Sequence, residues 1–388
     1  MTEPSASHWR EIALGFLKIG ATGYGGPAII GIMQAEFQER RQWTSKPRFM
    51  EGLALVNVLP GATATQLAIF LGYLRGGWWG GLLAGFGFAV PGFVVMLGLT
   101  MLYGALAVSP ILRGALYGLG PVVLGIFVAA LVRLARSALR TPTRGLIALA
   151  AAAATALSPL GAAAILLLAG GLGLFLFHSK RAGAVFLSLA AVTLAVAAWI
   201  PSPLTSSTPA TPSLTRVATL FAGIGTFTFG GGLSIIALIE EHVVHRLHWL
   251  TPREFVDGLA LGQLTPGPII MLAAYVGYKT LGLTGAVVAA TASFLPSFLM
   301  MLALLPAFDR VRDLLWARAV IQGIVPGVIG VMAVVLVRMT PHAAPDAAAG
   351  AVLVATTAVL LVWRLAPLRT MAGGALFGIL RYRAWAAP

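Results

Sequence analysis

Apolar residues dominate this chain in stretches that are separated by short segments carrying the charges. The stretches fall at 12–35, 49–74, 77–104, 111–135, 145–158, 161–177, 184–200, 216–239, 255–280, 282–306, 316–338 and 347–363. A helix needs about 20 apolar residues to cross a bilayer. We therefore interpret 145–158 and 161–177 as two short helices and 371–380 as an interfacial piece. The pattern predicts an all-α polytopic membrane protein with about twelve transmembrane helices.

Composition supports a membrane protein. With 59% hydrophobic residues, 10% charged residues and a mean hydropathy of +0.91, the 388 residues lack the polar surface of a soluble particle. The 26 lysines and arginines are scattered between apolar stretches, which fits loops beside anionic headgroups and argues against nucleic-acid binding. There is no cysteine, and His242, His245 and His248 lack the partners of a zinc motif. We expect no metal and no cofactor.

An internal repeat organises the chain, because its first third recurs about 205 positions later. The matched segments are Phe16 to Gly20 with Phe221 to Gly225, Tyr24-Gly25-Gly26-Pro27 with Phe229-Gly230-Gly231-Gly232, Glu36 with Glu241, Trp43 with Trp249, Glu51 with Asp257, Pro60-Gly61 with Pro266-Gly267, Pro91 with Pro296, and Arg113 with Arg318. We divide the chain into a first repeat (1–144), connecting helices and an extracytoplasmic linker (145–215), a second repeat (216–363) and a cytoplasmic tail (364–388).

The charges predict the orientation. A cytoplasmic N-terminus places most of the 26 basic residues on the cytoplasmic side. Seven apolar stretches then precede the uncharged linker 201–215, and seven is an odd number. The second copy therefore enters the membrane from the opposite face, so we expect an inverted repeat with discontinuous helices.

Paired glycines and Pro-Gly interrupt the helices at matching places in both copies. Close helix packing alone explains glycines well. It explains Pro-Gly less well, because proline removes a backbone hydrogen bond that lipid cannot replace. We therefore favour breaks that face a substrate, and a half-helix starting at such a break directs its N–H groups at an anion.

The expected substrate-binding residues come from both copies. They are Gly25, Gly26, Pro27, Asn57, Pro60, Gly61, Thr63 and Gln66, with Thr65 beside them, and Gly230, Gly231, Gly232, Gln263, Thr265, Pro266 and Gly267. In the second copy, Ile269, Ile270 and Met271 replace the polar run that follows the first break. We expect more contacts from the first half.

Charged residues in or near the apolar stretches are coupling or gating candidates. They are Glu51, Asp257, Lys18, Arg75, Arg113, Lys279 and Arg318. The carboxylates of Glu51 and Asp257 are candidates for carrying a proton, the alternative being ion pairs with Arg48 or Arg253. Arg113 and Arg318 are gate or vestibule candidates. For Lys18, Arg75 and Lys279, the alternative is that their charged ends reach the headgroups. Glu36 and Glu241 are expected to cap loops.

At these positions the chain resembles the chromate ion transporter family in its long, two-domain form. The resemblance rests on Tyr24-Gly25-Gly26-Pro27, Glu36 to Trp43 and Asn57 to Gly61, and on Phe229 to Gly232, Glu240-Glu241, Trp249 and Gln263 to Pro268. It covers both repeats. One departure is Ala62, where a proline would complete Pro-Gly-Pro.

The resemblance implies a carrier of the bacterial inner membrane that exports chromate, driven by the proton-motive force or by anion exchange. Chromate and sulfate are tetrahedral dianions of similar size, so a sulfate or other oxyanion carrier is the near alternative. An anion channel and a membrane enzyme are alternatives of another class, and we find no clustered catalytic set, so we expect no enzyme. The oligomeric state stays open, a homodimer included.

Overall fold

The computed structural model describes residues 6–24, 26–106, 109–199, 211–229, 232–307, 315–363 and 365–386, and these are helical nearly throughout. The α-helices are α1 (Ala6–Thr22), α2 (Gly26–Met33), α3 (Lys46–Val58), α4 (Thr63–Ala105), α5 (Pro110–Ala138), α6 (Pro142–Leu157), α7 (Ala162–Phe177), α8 (Lys180–Trp199), α9 (Leu214–Thr226), α10 (Leu233–Glu240), α11 (Pro252–Leu264), α12 (Leu272–Leu304), α13 (Leu315–Ala343), α14 (Ala347–Val362) and α15 (Pro367–Ala386).

Short non-α turns extend some of these helices. A π-helical turn, Gln34–Arg40, continues α2, and another, Glu241–Arg246, continues α10. A 3₁₀ turn, Ile269–Met271, precedes α12. The two π-helical turns occupy equivalent positions in the two copies, so the repeat extends to an uncommon local conformation.

Among the described residues, four helices are long and apolar enough to cross a bilayer, namely α4, α5, α12 with its preceding 3₁₀ turn, and α13. Three shorter apolar helices are α6, α7 and α14. The expected division of 145–177 into two helices is confirmed, since α6 ends before Ser158 and α7 begins after Gly161. The protein is thus a helical membrane protein, while the number of twelve crossings stays a prediction.

Glycines bring helices into backbone contact at equivalent places. A Cβ at Gly20 would collide with the carbonyl oxygen of Phe88, and a Cβ at Gly225 would collide with that of Ser293. These contacts seat α1 on α4 and α9 on α12. Close packing, the alternative role for small residues, therefore accounts for these two glycines.

The described chain forms two compact units, each containing segments from both copies. The first comprises 1–98, 212–235 and 265–318, and the second comprises 99–211, 236–264 and 319–388, in the ranges where the structure is described. The sequence-based boundaries at 144, 215 and 363 follow the repeats and stay a prediction. Pro60-Gly61 and Pro266-Gly267 both lie in the first unit.

In the second unit, α15 packs along α5 through small residues. A Cβ at Gly118 would collide with the carbonyl oxygen of Gly374, and a Cβ at Gly378 with that of Gly114. The stretch 371–380, expected to be a short interfacial piece, therefore belongs to a helix of 20 residues. Its position relative to the membrane stays a prediction.

Candidate functional site

The Pro-Gly sequences do interrupt the helices. In the first copy, α3 ends at Val58 and α4 begins at Thr63; in the second, α11 ends at Leu264 and helical structure resumes at Ile269. Gly61 has φ = +126° and Gly267 has φ = +96°, values that side chains other than hydrogen rarely tolerate. Glycine is therefore required for the shape of each break, hereafter the first break (59–62) and the second break (265–268).

Each break is hydrogen-bonded to the glycine-rich segment of the other copy. The N–H of Gly61 donates to the carbonyl of Thr228 at 2.7 Å, and the N–H of Gly267 donates to the carbonyl of Gly23 at 2.8 Å. In the repeat, Gly61 matches Gly267 and Gly23 matches Thr228. The pairing is therefore reciprocal, as in a self-complementary two-fold interface.

Residues that follow the matched prolines of α4 and α12 complete this arrangement. Ser297 Oγ accepts a hydrogen bond from the N–H of Ala62 at 3.1 Å. The matching residues at the second break are Pro268, which has no N–H, and Gly92, which has no hydroxyl. A Cβ on Gly92 would lie 2.6 Å from the carbonyl oxygen of Pro266. Donor and acceptor are thus both present at the first break and both absent at the second break.

Buried polar side chains with unpartnered atoms lie beside the first break. Thr65 and Gln66 are fully buried. Gln66 Nε2 donates to the carbonyl of Pro60 at 2.6 Å, whereas Thr65 Oγ1 and Gln66 Oε1 have no hydrogen-bond partner among the described residues. Buried polar atoms without a partner cost roughly 1–3 kcal/mol each, so such atoms indicate a place for a bound polar group.

The second break is apolar by comparison. Ile270 and Met271 are buried there, as the sequence suggested. Thr265 is buried and its hydroxyl lies 3.3 Å from the sulfur of Met96. The expected imbalance in polar groups between the two halves is therefore present in the structure.

The remaining expected binding residues are placed as follows. Gly26 and Pro27 begin α2, and Gly232, with φ = +96°, precedes α10. Asn57 lies exposed in the last turn of α3, Thr63 and Gln263 are half-buried, and Pro266 is buried. Gly25, Gly230 and Gly231 lie outside the described residues.

Both carboxylates considered for proton coupling form ion pairs within their own helices. Glu51 Oε2 lies 3.1 Å from Arg48 Nη1 in α3, and Asp257 Oδ1 lies 3.4 Å from Arg253 Nε in α11. Asp257 is the more buried, with 6% of its surface exposed, and the hydroxyl of Tyr103 donates to its Oδ2 at 3.1 Å. The ion-pair alternative thus describes the geometry of both.

Arg113 and Asp257, separate candidates in the sequence, line one cavity of about 170 Å³ in the second unit. Arg253 and Tyr103 also line it, together with apolar residues of α5. Two guanidinium groups and one carboxylate give the cavity a net positive charge. It can attract an anion while Asp257 competes for one arginine.

The other basic candidates differ in their surroundings. Arg75 lies 3.1 Å from Glu11 and over the ring of Trp43. Partial burial raises the pKa of Glu11, but the hydrogen bonds from Arg75 and Trp43 together lower it by more. The pKa of Glu11 is therefore below its usual value. Lys18, Lys279 and Arg318 are exposed at the surface of the described chain. Their roles as headgroup contacts or gate residues stay predictions.

The acidic residues expected to cap loops form one equivalent ion pair in each copy. Arg41 lies 2.6 Å from Glu36, and Arg246 lies 2.6 Å from Glu241. Glu241 also accepts from the N–H of Ala162 at 2.5 Å, which caps the start of α7. The role of Glu241 as a cap is confirmed.

Comparison with known proteins identifies the family. The sequence model of the chromate transporter family matches twice, at residues 10–174 and 215–379. The chain belongs to this family. The double match also bears out the internal repeat.

Three relatives match nearly the whole chain. A chromate transport protein of Cupriavidus metallidurans is 32% identical over 96% of this chain and 93% of its own length. A probable chromate transport protein of Synechococcus elongatus is 30% identical over 92% and 90%, and a chromate transport protein of Pseudomonas aeruginosa is 32% identical over 93% and 89%. No solved structure matches the chain.

Sequence reasoning missed five groups that the structure places at the breaks or near Asp257. They are Ser297, Gly92, Tyr103 and the backbone carbonyls of Gly23 and Thr228. Ser297 and Gly92 each follow one of the matched prolines, so the repeat alignment contained that signal. The carbonyls had none, because any residue supplies one.

Proposed function

We propose that this protein is a secondary active transporter that exports chromate across the bacterial inner membrane, with the N-terminus in the cytoplasm. The observation that carries the proposal is the reciprocal pairing of the two breaks, found in a member of a family whose relatives are named chromate transport proteins. Broken helices at the interface of repeats are the usual site of substrate binding in such carriers.

The anion binds beside the first break. The N–H groups of Gly61, Ala62 and Gly267 already donate to protein acceptors, so they shape the site and do not bind the substrate. The donors for chromate are the hydroxyl of Thr65 and the N–H groups of Thr63, Ala64 and Thr65, which have no acceptor within α4. The N–H of Gln66 already donates to the carbonyl of Ala62. The positive end of the α4 dipole adds to their attraction for an anion.

The two copies run in opposite directions through the membrane. A reciprocal pairing requires a two-fold relation between the paired segments. The odd number of apolar stretches before the linker is what places that axis in the membrane plane. Under this arrangement the breaks lie at one depth, where a substrate can be reached from either side in turn.

Arg113, Arg253 and Asp257 act as an electrostatic gate for the anion. An entering oxyanion competes with Asp257 for Arg253, since both present oxygen atoms to the same guanidinium group. Asp257→Asn should therefore raise anion occupancy of the cavity and slow release, seen as a lower half-saturating concentration and a lower maximal rate. Glu51→Gln, in the more exposed ion pair, is the matched control and should change neither.

The membrane potential assists export of a dianion. A potential of 100 mV, negative inside, is worth about 2.3 kcal/mol per charge, or about 4.6 kcal/mol for chromate. The test is uptake of chromate and sulfate into inside-out proteoliposomes, with and without a pH gradient and a clamped potential. The proposal is supported if chromate flux saturates and sulfate inhibits it only weakly. Equal rates for both anions would make the protein a general oxyanion carrier, and flux that does not saturate would indicate a channel.

A further inference from the structure

A second cavity, of about 180 Å³, lies in the second unit among residues of α6, α7, α10 and α13. Its charged and titratable lining consists of Glu240, Glu241, His245, Arg246 and Arg338. Polar surroundings and this volume allow the cavity to hold water. It is therefore accessible to protons.

Glu240 is the unusual member of this lining. It is the last residue of α10 and only 4% exposed. Its Oε1 lies 2.7 Å from Nε2 of His245, while its Oε2 has no hydrogen-bond partner among the described residues. A buried carboxylate oxygen without a donor is costly, and binding a proton removes that cost.

The other charges of the cavity are already engaged. Glu241 is paired with Arg246 at 2.6 Å and also accepts from Ala162. Arg338 donates to the carbonyl of Thr155 at 2.7 Å. Glu240 and His245 thus form the pair whose charge can change when one proton is gained or lost.

The surroundings of Glu240 favour a bound proton. Burial raises the pKa of the Glu240 carboxyl above that of an ordinary glutamate, although His245 and Arg338 oppose the change. His245 is about half exposed and lines the same cavity, so it connects the buried carboxylate to the surface.

The first copy lacks this pair. The positions that match Glu240 and His245 are occupied by Ala35 and Arg40, and Arg40 lies 3.2 Å from Glu36. Alanine has no proton to exchange and arginine keeps its proton. A titratable pair is thus present in only one of two otherwise similar π-helical turns.

We propose that Glu240 and His245 form a proton-binding site that couples proton movement to anion transport, a proposal that rests on the proposed function. The ligand is one proton, held between Glu240 Oε1 or Oε2 and His245 Nε2. Glu240 is the last residue of α10, the helix that follows Phe229 to Gly232 in the sequence. A change of charge there acts on the end of α10.

The test uses the purified protein in proteoliposomes with the membrane potential clamped. Wild-type protein should accumulate chromate in response to a pH gradient, up to about tenfold per pH unit for each coupled proton. Glu240→Gln should abolish this accumulation and leave chromate counterflow at equal pH unchanged. His245→Arg, which copies Arg40, should behave in the same way. His242→Gln, on the same turn but outside the cavity, should behave like wild type.

The outcomes separate this proposal from the one before it. Absent counterflow in wild-type protein would refute the proposed function itself. If Glu240→Gln retains both counterflow and accumulation driven by the pH gradient, only the proton site is overturned. The same holds if Glu240→Gln and His245→Arg lose counterflow and accumulation to the same extent. If Glu240→Gln fails to fold, His245→Arg decides, since retained accumulation in that variant overturns the proposal. Wild-type accumulation that ignores pH also overturns it.

Discussion

The first break and the second break share a backbone and differ in their side chains. Both place a glycine in the left-handed region and both donate an N–H to the opposite copy. Beside the first lie Thr65 and Gln66 with unpartnered polar atoms, and beside the second lie Ile270 and Met271. The comparison teaches that the duplicated backbone is shared by both breaks, while the unpartnered polar side chains lie beside the first break alone of these two.

The comparison of the two breaks can be sharpened by asking whether the two copies are inverted in the membrane, which has an all-or-none test. Ser45 and Thr251 are exposed and occupy matching positions before α3 and α11. Because the chain has no cysteine, Ser45→Cys and Thr251→Cys each introduce a single thiol. An impermeant maleimide should label Ser45→Cys from outside the cell and Thr251→Cys only after the membrane is opened. Labelling of both from one side would refute the inversion.

The next largest effect is expected at the break glycines. In Gly61→Ala the new Cβ is strained by the positive φ and also collides with Ser297 Oγ and Gln66 Nε2. In Gly267→Ala the strain remains, but the nearest atom is 3.9 Å away. Strain of this kind costs roughly 1–3 kcal/mol. Gly61→Ala should abolish transport and lower the melting temperature, and Gly267→Ala should lower it less.

The control for these variants is Gly98→Ala, a helical glycine with open space around it. Alanine there should keep or slightly raise the melting temperature, because it favours the helix. Equal melting temperatures for Gly61→Ala and Gly267→Ala would show that the crowding at the first break is unimportant.

Much of this architecture was predictable from the sequence, because it depends on the types of residue. Apolar length predicted the helices, and Pro60-Gly61 and Pro266-Gly267 predicted where they are interrupted. The imbalance between Gln66 and Met271 was also visible. Each of these signals is local, so a single chain suffices to read it.

The pairing of the breaks was not predictable. Gly61 and Gly267 were expected among the substrate-binding residues, and in the structure their N–H groups donate to the carbonyls of Thr228 and Gly23. Backbone carbonyls leave no mark in a sequence. The proximity of Arg113 to Asp257 was likewise invisible, because the two residues lie in different copies.

A moderate effect is expected when the unpartnered hydroxyl beside the first break is removed. Thr65→Val keeps the shape of the side chain and deletes an Oγ1 that has no partner among the described residues. Its melting temperature should not fall, because no protein hydrogen bond is lost. A hydrogen bond to a charged oxygen is worth roughly 1.5–3 kcal/mol, so the half-saturating chromate concentration should rise about ten- to a hundredfold.

Thr265→Val in the second break serves as the matched control. Its hydroxyl lies 3.3 Å from the sulfur of Met96, and a thioether is a weak acceptor. Chromate saturation should change less than in Thr65→Val. A larger change in Thr265→Val than in Thr65→Val would show that the substrate binds beside the second break and not beside the first.

The smallest effect sharpens the comparison by converting the first break into the second. Ala62→Pro removes the N–H that donates to Ser297 Oγ, which should cost about 0.5–1.5 kcal/mol in the free energy of unfolding. Adding Ser297→Gly reproduces the Pro268 and Gly92 pair and removes the acceptor as well. Because the two residues are in contact, the summed losses of unfolding free energy in the two single variants should exceed the loss in the double variant. Denaturant titration in mixed micelles measures the free energy of unfolding of both single variants and of the double variant. Strictly additive losses would show that Ala62 and Ser297 contribute to stability through unrelated contacts.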